Sequence, residues 1–288
     1  MNTSVSQPET TPSTDSKTDR GIDVETGSPT VLAEISDGVG IVTLNRPERR
    51  NALHPEMYDA VPAVLERFAA DDEVGAVIIT AAGTAFCAGG DVRDGKARRA
   101  AAERVPTVEE RTAELSHNAR MVRFLHEMPK VTIAALPGAA VGAGMSIALA
   151  ADFRIAARSA KLIPGWSKLA FSGDFGGTWF LTRLVGPSAA LEILVEDRPI
   201  TADAALERGL VNRVVDDADL PAAARAWAAQ IAAGPHGAYA AMKANVVQTH
   251  SMTLAEALPI ESERMVRAGL TDEHKAAVRA WLAAAKKR

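Results

Sequence analysis

The sequence predicts an α/β fold whose last third is almost entirely helical. Two short runs, Val74–Thr80 (VGAVIIT) and Val131–Leu136 (VTIAAL), are continuously apolar and rich in β-branched residues. Runs of this kind suit strands covered on both faces, as in a parallel sheet flanked by helices. Helical patterns alternate with them in the first two thirds of the chain. From Thr201 onward the helical pattern is nearly unbroken, so an interleaved core is followed by a helical appendage. At 288 residues the chain has room for both.

The elements follow in order. Residues 1–28 are rich in Ser, Thr, Pro, Asp and Glu and nearly free of large apolar side chains, which predicts a disordered tail. Val31–Ile35 and Gly40–Leu44 flank Ser36-Asp37-Gly38, a hairpin signal. Asn45-Arg46-Pro47 then turns the chain toward a helix over Pro55–Phe68, with Met57, Val61, Val64, Leu65 and Phe68 on one side. A loop, Ala82–Asp94, follows the Val74–Thr80 strand. One long helix is expected over Thr107–Met128, stopped by Pro129. After Val131–Leu136 come a helix, Gly144–Ala151, a strand, Phe153–Ala156, and a helix, Thr178–Leu184. The appendage reads as helices at Ala202–Arg208, Pro221–Ala233, Gly237–Gln248, Thr253–Ala268 and Thr271–Lys286. This organisation divides the chain into a tail (1–28), a core (29–218) and a helical region (219–288), without internal sequence repeats.

Composition narrows the function classes. The chain is 47% hydrophobic and 24% charged, with 32 Lys+Arg against 36 Asp+Glu, so nothing suggests a nucleic-acid partner. The single cysteine, Cys87, excludes an internal disulfide and any multi-thiolate metal site. No signal-peptide pattern or membrane-length apolar run is present, and a cytoplasmic protein without metal or membrane partner is expected. The six histidines lack ligand spacing. Dinucleotide-binding, phosphate-loop and nucleophile-elbow motifs are absent.

Two loops follow buried strands and are built of small residues: Phe86-Cys87-Ala88-Gly89-Gly90-Asp91 and Gly138-Ala139-Ala140-Val141-Gly142-Ala143-Gly144-Met145. Small side chains let a ligand approach the main chain, and free N–H groups there favour a developing anion. Either loop alone reads as a tight turn. As a pair they read as two donors converging on one carbonyl oxygen.

With Ile41–Leu53 (IVTLNRPERRNAL), Ala85–Asp91 (AFCAGGD), Pro129–Asp152, Gly176-Gly177-Thr178 and Ile200–Val214 (ITADAALERGLVNRV), the chain resembles the crotonase, or enoyl-CoA hydratase/isomerase, superfamily from about Val31 to its end. The resemblance implies a spiral of ββα turns, a helical C-terminal part that assembles a homotrimer or dimer of trimers, and an acyl-CoA thioester substrate. Coenzyme A would arrive as part of that substrate, with no separate cofactor. By position, the N–H groups of Gly90 and Ala143 would form an oxyanion hole. Ala88 and Asp91 would lie along the CoA path.

The two glutamates of family hydratases are missing, because their positions hold Ser146 and Trp166. A carboxylate stands instead at Asp174, as in two branches of the family: enoyl-CoA-type isomerases and 4-chlorobenzoyl-CoA dehalogenase. In the second branch, a tryptophan eight residues earlier bonds the nucleophilic aspartate and a histidine between the loops activates water. Trp166 and His117 occupy those places. Each residue also has a plainer reading. Asp174 can cap the helix that starts near Thr178, although Phe171 and Phe175 would desolvate its carboxyl group and raise its pKa. His117 falls on a helical stripe with Met121, Phe124 and Met128 and is expected to face the packed side. Trp166 and Ser146 can serve packing alone, and Cys87 reads as a small buried thiol. Arg93, Lys96, Arg98, Arg99 and Arg104 form a basic run, read as a solvated helix face with one or two side chains within reach of CoA phosphates.

The expectation is an enoyl-CoA isomerase or hydratase-like enzyme that works through a thioester enolate, with Asp174 as acid and base. The rivals are a dehalogenase with Asp174 as nucleophile and a non-catalytic acyl-CoA-binding oligomer.

Overall fold

The computed structural model describes residues 21–91 and 104–285. Val31–Ser36 (β2) and Val39–Leu44 (β3) form the expected hairpin. Asp37 and Gly38 both take positive φ, 52° and 73°, the primed turn whose twist matches the paired strands. Ahead of it lies an unexpected edge strand, Ile22–Asp23 (β1), paired with Ile35 and Glu34. Val24 is buried and donates its N–H to the Ala33 carbonyl at 2.8 Å. The disordered tail expected through residue 28 is therefore corrected from Gly21 onward. Few apolar residues stand there, but Val24 reaches the core and Thr26 ties the Ser28 and Val31 carbonyls. The rest of that tail lies outside the described residues.

Helix α1 (Pro55–Ala70) buries the predicted stripe and leads to Ala76–Ala81 (β4). The strands Val131–Leu136 (β6), Phe153–Ala157 (β8) and Arg213–Val215 (β11) extend the sheet in the order β1-β2-β3-β4-β6-β8-β11, parallel from β3 onward. A second sheet is made of very short strands: Ala85–Cys87 (β5), Ala139–Val141 (β7), Lys161–Ile163 (β9) and Ile200–Thr201 (β10). The chain steps from one sheet to the other, β4 to β5, β6 to β7 and β8 to β9. Helix α4 (Ala143–Ala150) follows β7, and α5 (Gly177–Val185) follows β9. This is the ββα spiral that the resemblance implies.

The long helix expected over 107–128 is two helices, Val108–Asn118 (α2) and Arg120–Glu127 (α3). A capping box between Thr107 and Glu110 starts α2, which buries none of its residues, whereas α3 buries Met121, Val122 and Leu125. The break falls at Ala119, which packs against the core and separates the exposed first helix from the partly buried second. His117 consequently does not share the packed stripe.

The remaining helices are α6 (Pro187–Glu196), α7 (Ala202–Glu207), α8 (Leu220–Ala232), α9 (His236–Thr249), α10 (Leu254–Gly269) and α11 (Asp272–Ala285). Helix α8 buries Leu220, Ala224 and Ala228 against the sheet. Helix α9 is pinned by Lys243, whose ammonium pairs with Asp152 at 2.7 Å and donates to the Leu125 and Lys130 carbonyls. Helix α10 buries only Ala257, and α11 buries nothing. Among the described residues, no helix is long and apolar enough to cross a membrane.

Candidate active site

The site forms where the two small-residue loops meet. Gly89 has φ 84°, and a Cβ there would lie 2.9 Å from the Val141 carbonyl oxygen and 3.7 Å from the Ala143 nitrogen. A Cβ at Gly144 would sit 2.4 Å from the Cys87 carbonyl oxygen. Backbone thus packs on backbone, and only glycine permits that approach. Gly90 is exposed, and its bridge to Leu53 is made by neighbouring groups, including Leu53 N–H to Gly89 C=O at 2.8 Å. Ala143 is the first residue of α4, so its N–H has no acceptor within the helix. Among the described residues, neither the Gly90 nor the Ala143 N–H finds an acceptor.

The first loop is tied down from below. Asn51, fully buried with φ 53°, accepts the Arg46 N–H and donates to the Ala82 and Ala85 carbonyls. The Ala88 N–H donates to the Arg50 carbonyl at 3.0 Å. The Asp91 carboxylate, almost wholly buried, pairs with Arg46 at 3.4 Å. Burial pushes the Cys87 thiol up to about 12, against a weaker opposing hydrogen bond from the Gly89 N–H. The thiol is therefore inert at neutral pH, as expected.

Asp174 lies in the loop before α5. The Trp166 indole N–H donates to its carboxylate Oδ1 at 2.9 Å. The carboxylate does not cap α5; the helix begins after Gly176, with φ 74° and no side-chain cap. Burial raises the Asp174 pKa above the ordinary carboxylate range, and the Trp166 bond partly offsets that rise. Of the two phenylalanines expected to desolvate it, only Phe175 is buried, against Tyr58 of α1 at 6.1 Å; Phe171 is 62% exposed and points away from that role. Phe175 has φ 50°, a conformation that costs a bulky residue on the order of 1–3 kcal/mol. Trp166 also borders the second loop, because a Cβ on Gly142 would lie 3.8 Å from its Nε1. Trp166 thus links the Asp174 carboxylate to the loop that carries Ala143.

Asp197 escaped the sequence reading, and Ser146 was read there as packing alone. Asp197, buried at a φ of 48°, accepts the Gly165 N–H at 2.6 Å, the Ser167 hydroxyl at 3.0 Å and the Lys168 N–H at 3.2 Å. Burial works against its ionisation, yet these donors outweigh it and hold its pKa below the usual range. It clamps the segment that carries Trp166. Ser146 is not a mere filler, since its hydroxyl donates to the Asp174 carbonyl at 3.0 Å.

His117 is corrected. Its side chain is 52% exposed, and its Nε2 faces Asp59 at 3.2 Å and the Arg120 guanidinium at 3.0 Å. The structure gives it no contact with Asp174. Arg93, Lys96, Arg98 and Arg99 lie outside the described residues, and Arg104 pairs with Glu110 at 2.7 Å.

Residues 34–287 match the enoyl-CoA hydratase/isomerase family. The chain belongs to that family, the crotonase superfamily, and the family is one of enzymes. Among similar proteins, 1,2-epoxyphenylacetyl-CoA isomerase of Escherichia coli (strain K12) is 34% identical over 254 residues, covering 88% of this chain and 95% of the relative. A 4-chlorobenzoyl coenzyme A dehalogenase of Arthrobacter sp is 30% identical over 244 residues, covering 82% of this chain and 84% of that one. The crystal structure of an enoyl-CoA hydratase from Polaromonas sp. JS666 superposes with a TM-score of 0.82 at 33% identity, over 88% of this chain and 96% of that one. This crotonase-family chain thus has an isomerase and a dehalogenase among its relatives.

Proposed function

We propose that this enzyme shifts the double bond of an enoyl-CoA thioester, with Asp174 moving the proton. The Gly90 and Ala143 N–H groups hold the thioester oxygen. Asp174 removes a proton from the carbon next to the thioester of a 3-enoyl-CoA. The C–H electron pair moves into the chain and negative charge collects on the held oxygen. The same carboxyl group, whose proton exchanges with water, delivers a proton two carbons further on, leaving a 2-enoyl-CoA. No water is consumed, so one carboxylate is enough, whereas hydration calls for a second group to grip water. The carrying observation is the half-buried Asp174 carboxylate bonded at 2.9 Å by Trp166, with a pKa raised toward the range a base needs. Ala88 and Asp91 beside the first donor border the path proposed for CoA, which comes and leaves with the substrate.

The same bond supports a second reading, a dehalogenase in which Asp174 attacks an aryl-CoA carbon, halide leaves, and water cleaves the resulting ester. That route needs a base for the water. His117, exposed and paired with Asp59, argues against it. A panel of 3-enoyl-, 2-enoyl- and 4-halobenzoyl-CoA followed by mass spectrometry separates the readings. Positional isomerisation is expected; halide release would favour the dehalogenase, and binding of all three without turnover an idle binding protein.

We also propose assembly into a homotrimer or a dimer of trimers. Leu254, Leu258, Met265, Val266 and Trp281 are exposed on α10 and α11, more apolar surface than a lone chain normally shows. A largely apolar cavity of about 630 Å³ opens beside α9, with Met242 and Val246 on its exposed side.

A further inference from the structure

We infer that Ser146 is a positioning residue for Asp174, fixing the carboxylate through its main chain. This rests on the reading of Asp174 as acid and base. Ser146 closes the first turn of α4 and is fully buried. A helical serine commonly returns its hydroxyl to the carbonyl four residues back. Here that carbonyl, on Gly142, is 3.4 Å away, while the Asp174 carbonyl, 28 residues along the chain, is at 3.0 Å. The Asp174 carbonyl also accepts the Gly177 N–H at 2.9 Å.

The turn held in this way resists its own backbone. Gly173, Phe175 and Gly176 have φ of 106°, 50° and 74°, and the middle one is a buried aromatic residue. A conformation of that kind persists only where its surroundings dictate it. Space is as constrained as bonding. A Cβ on Gly177 would meet the Trp166 ring at 2.5 Å and the Ser146 hydroxyl at 2.6 Å, so both side chains close on one α-carbon. Asp174 is gripped at two points: Trp166 holds the carboxylate and Ser146 the carbonyl. The two positions that carry glutamates in the hydratases of the resemblance thus carry two hydrogen-bond donors here, and both donors serve the same aspartate.

The test uses the full chain and two substitutions. Ser146→Ala favours the helix and leaves the Gly177 N–H on the carbonyl, so the fold should survive. Ser146→Cys keeps the volume but donates weakly. Both are expected to lower kcat on a 3-enoyl-CoA about ten- to a hundredfold, as a displaced group of the reacting centre would, with little change in KM. A second readout needs no turnover: the pH titration of Trp166 fluorescence, taken as the difference from Trp166→Phe. Its midpoint reports ionisation of Asp174, and it should move down toward ordinary aspartate when the turn loosens and water enters.

A folded Ser146→Ala with unchanged kcat and midpoint would overturn the inference. So would a Cys variant that matches the unsubstituted protein, which would assign Ser146 to packing, or a fall in melting temperature and kcat with the midpoint unmoved. If the midpoint moves while Asp174→Asn keeps full turnover, Ser146 positions Asp174 but the acid–base reading is wrong.

Discussion

A half-buried carboxylate with one N–H donor has a pKa set by two opposing influences, and at Asp174 they can be separated. Burial, the larger, raises the pKa, and the Trp166 indole lowers it. The base must be ionised, so kcat/KM should fall as pH drops through a value above the ordinary aspartate range. Trp166→Phe removes the stabilising donor, and its acidic limb should shift further upward in a pH–rate profile. The same sign governs stability. A folded-state pKa above the unfolded one means that stability is lost as pH rises from the unfolded value through the folded one. Asp174→Asn keeps an acceptor for Trp166 and removes the penalised charge. It should abolish turnover yet melt at the same or a higher temperature than the unsubstituted protein at neutral pH, as calorimetry can check. At this scale the sequence was partly readable. The family resemblance, which puts a tryptophan eight residues before the aspartate, brought Trp166 and Asp174 to notice, and they do bond. Ser146 was noticed only as a packing residue and Asp197 left no signal, because each acts on backbone groups far along the chain. His117 misled because a helical stripe was extended across a break.

Helix α4 presents the Ala143 N–H at its first position, where proline is tolerated by the helix but supplies no donor. Ala143→Pro should therefore cut kcat about a hundredfold or more while leaving substrate binding less affected, measured by steady-state kinetics beside direct titration with an acyl-CoA. Unchanged turnover would place the second donor elsewhere. At the other end of the core, β1 carries a similar forecast for stability. Deleting residues up to and including Ser28 removes the Ile22–Asp23 pairing and the buried Val24, and should lower the melting temperature by several degrees. An unchanged melting curve would show that this edge contributes nothing. Long elements were legible: Val131–Leu136 matches strand β6 residue for residue, and α1, α4, α5 and α8 lie within two residues of their expected ends. The three-residue strands β5, β7 and β9 were missed, since so short a run carries no periodicity. Yet with β10 these strands form the second sheet, and β5 and β7 bring the two small-residue loops together.

Across the whole molecule, the spiral places the Gly90 and Ala143 loops on consecutive ββα turns, and the loop before α5 meets α4 where the Ser146 hydroxyl donates to the Asp174 carbonyl. The exposed apolar faces of α10 and α11 are proposed to be covered by copies of the chain, so light scattering at micromolar concentration should give a trimer or hexamer. A monomer would contradict that. Family membership follows from similarity along nearly the whole chain, whereas the proposed chemistry depends on one carboxylate. The most direct test of that chemistry is proton exchange at the carbon next to the thioester, followed by NMR, with a 3-enoyl-CoA in D2O. Deuterium should enter that position with the unsubstituted enzyme and fail to enter with Asp174→Asn. Exchange that persists in Asp174→Asn, or conversion of a halobenzoyl-CoA that leaves the solvent oxygen label on Asp174 when run in isotopically labelled water, would contradict the account.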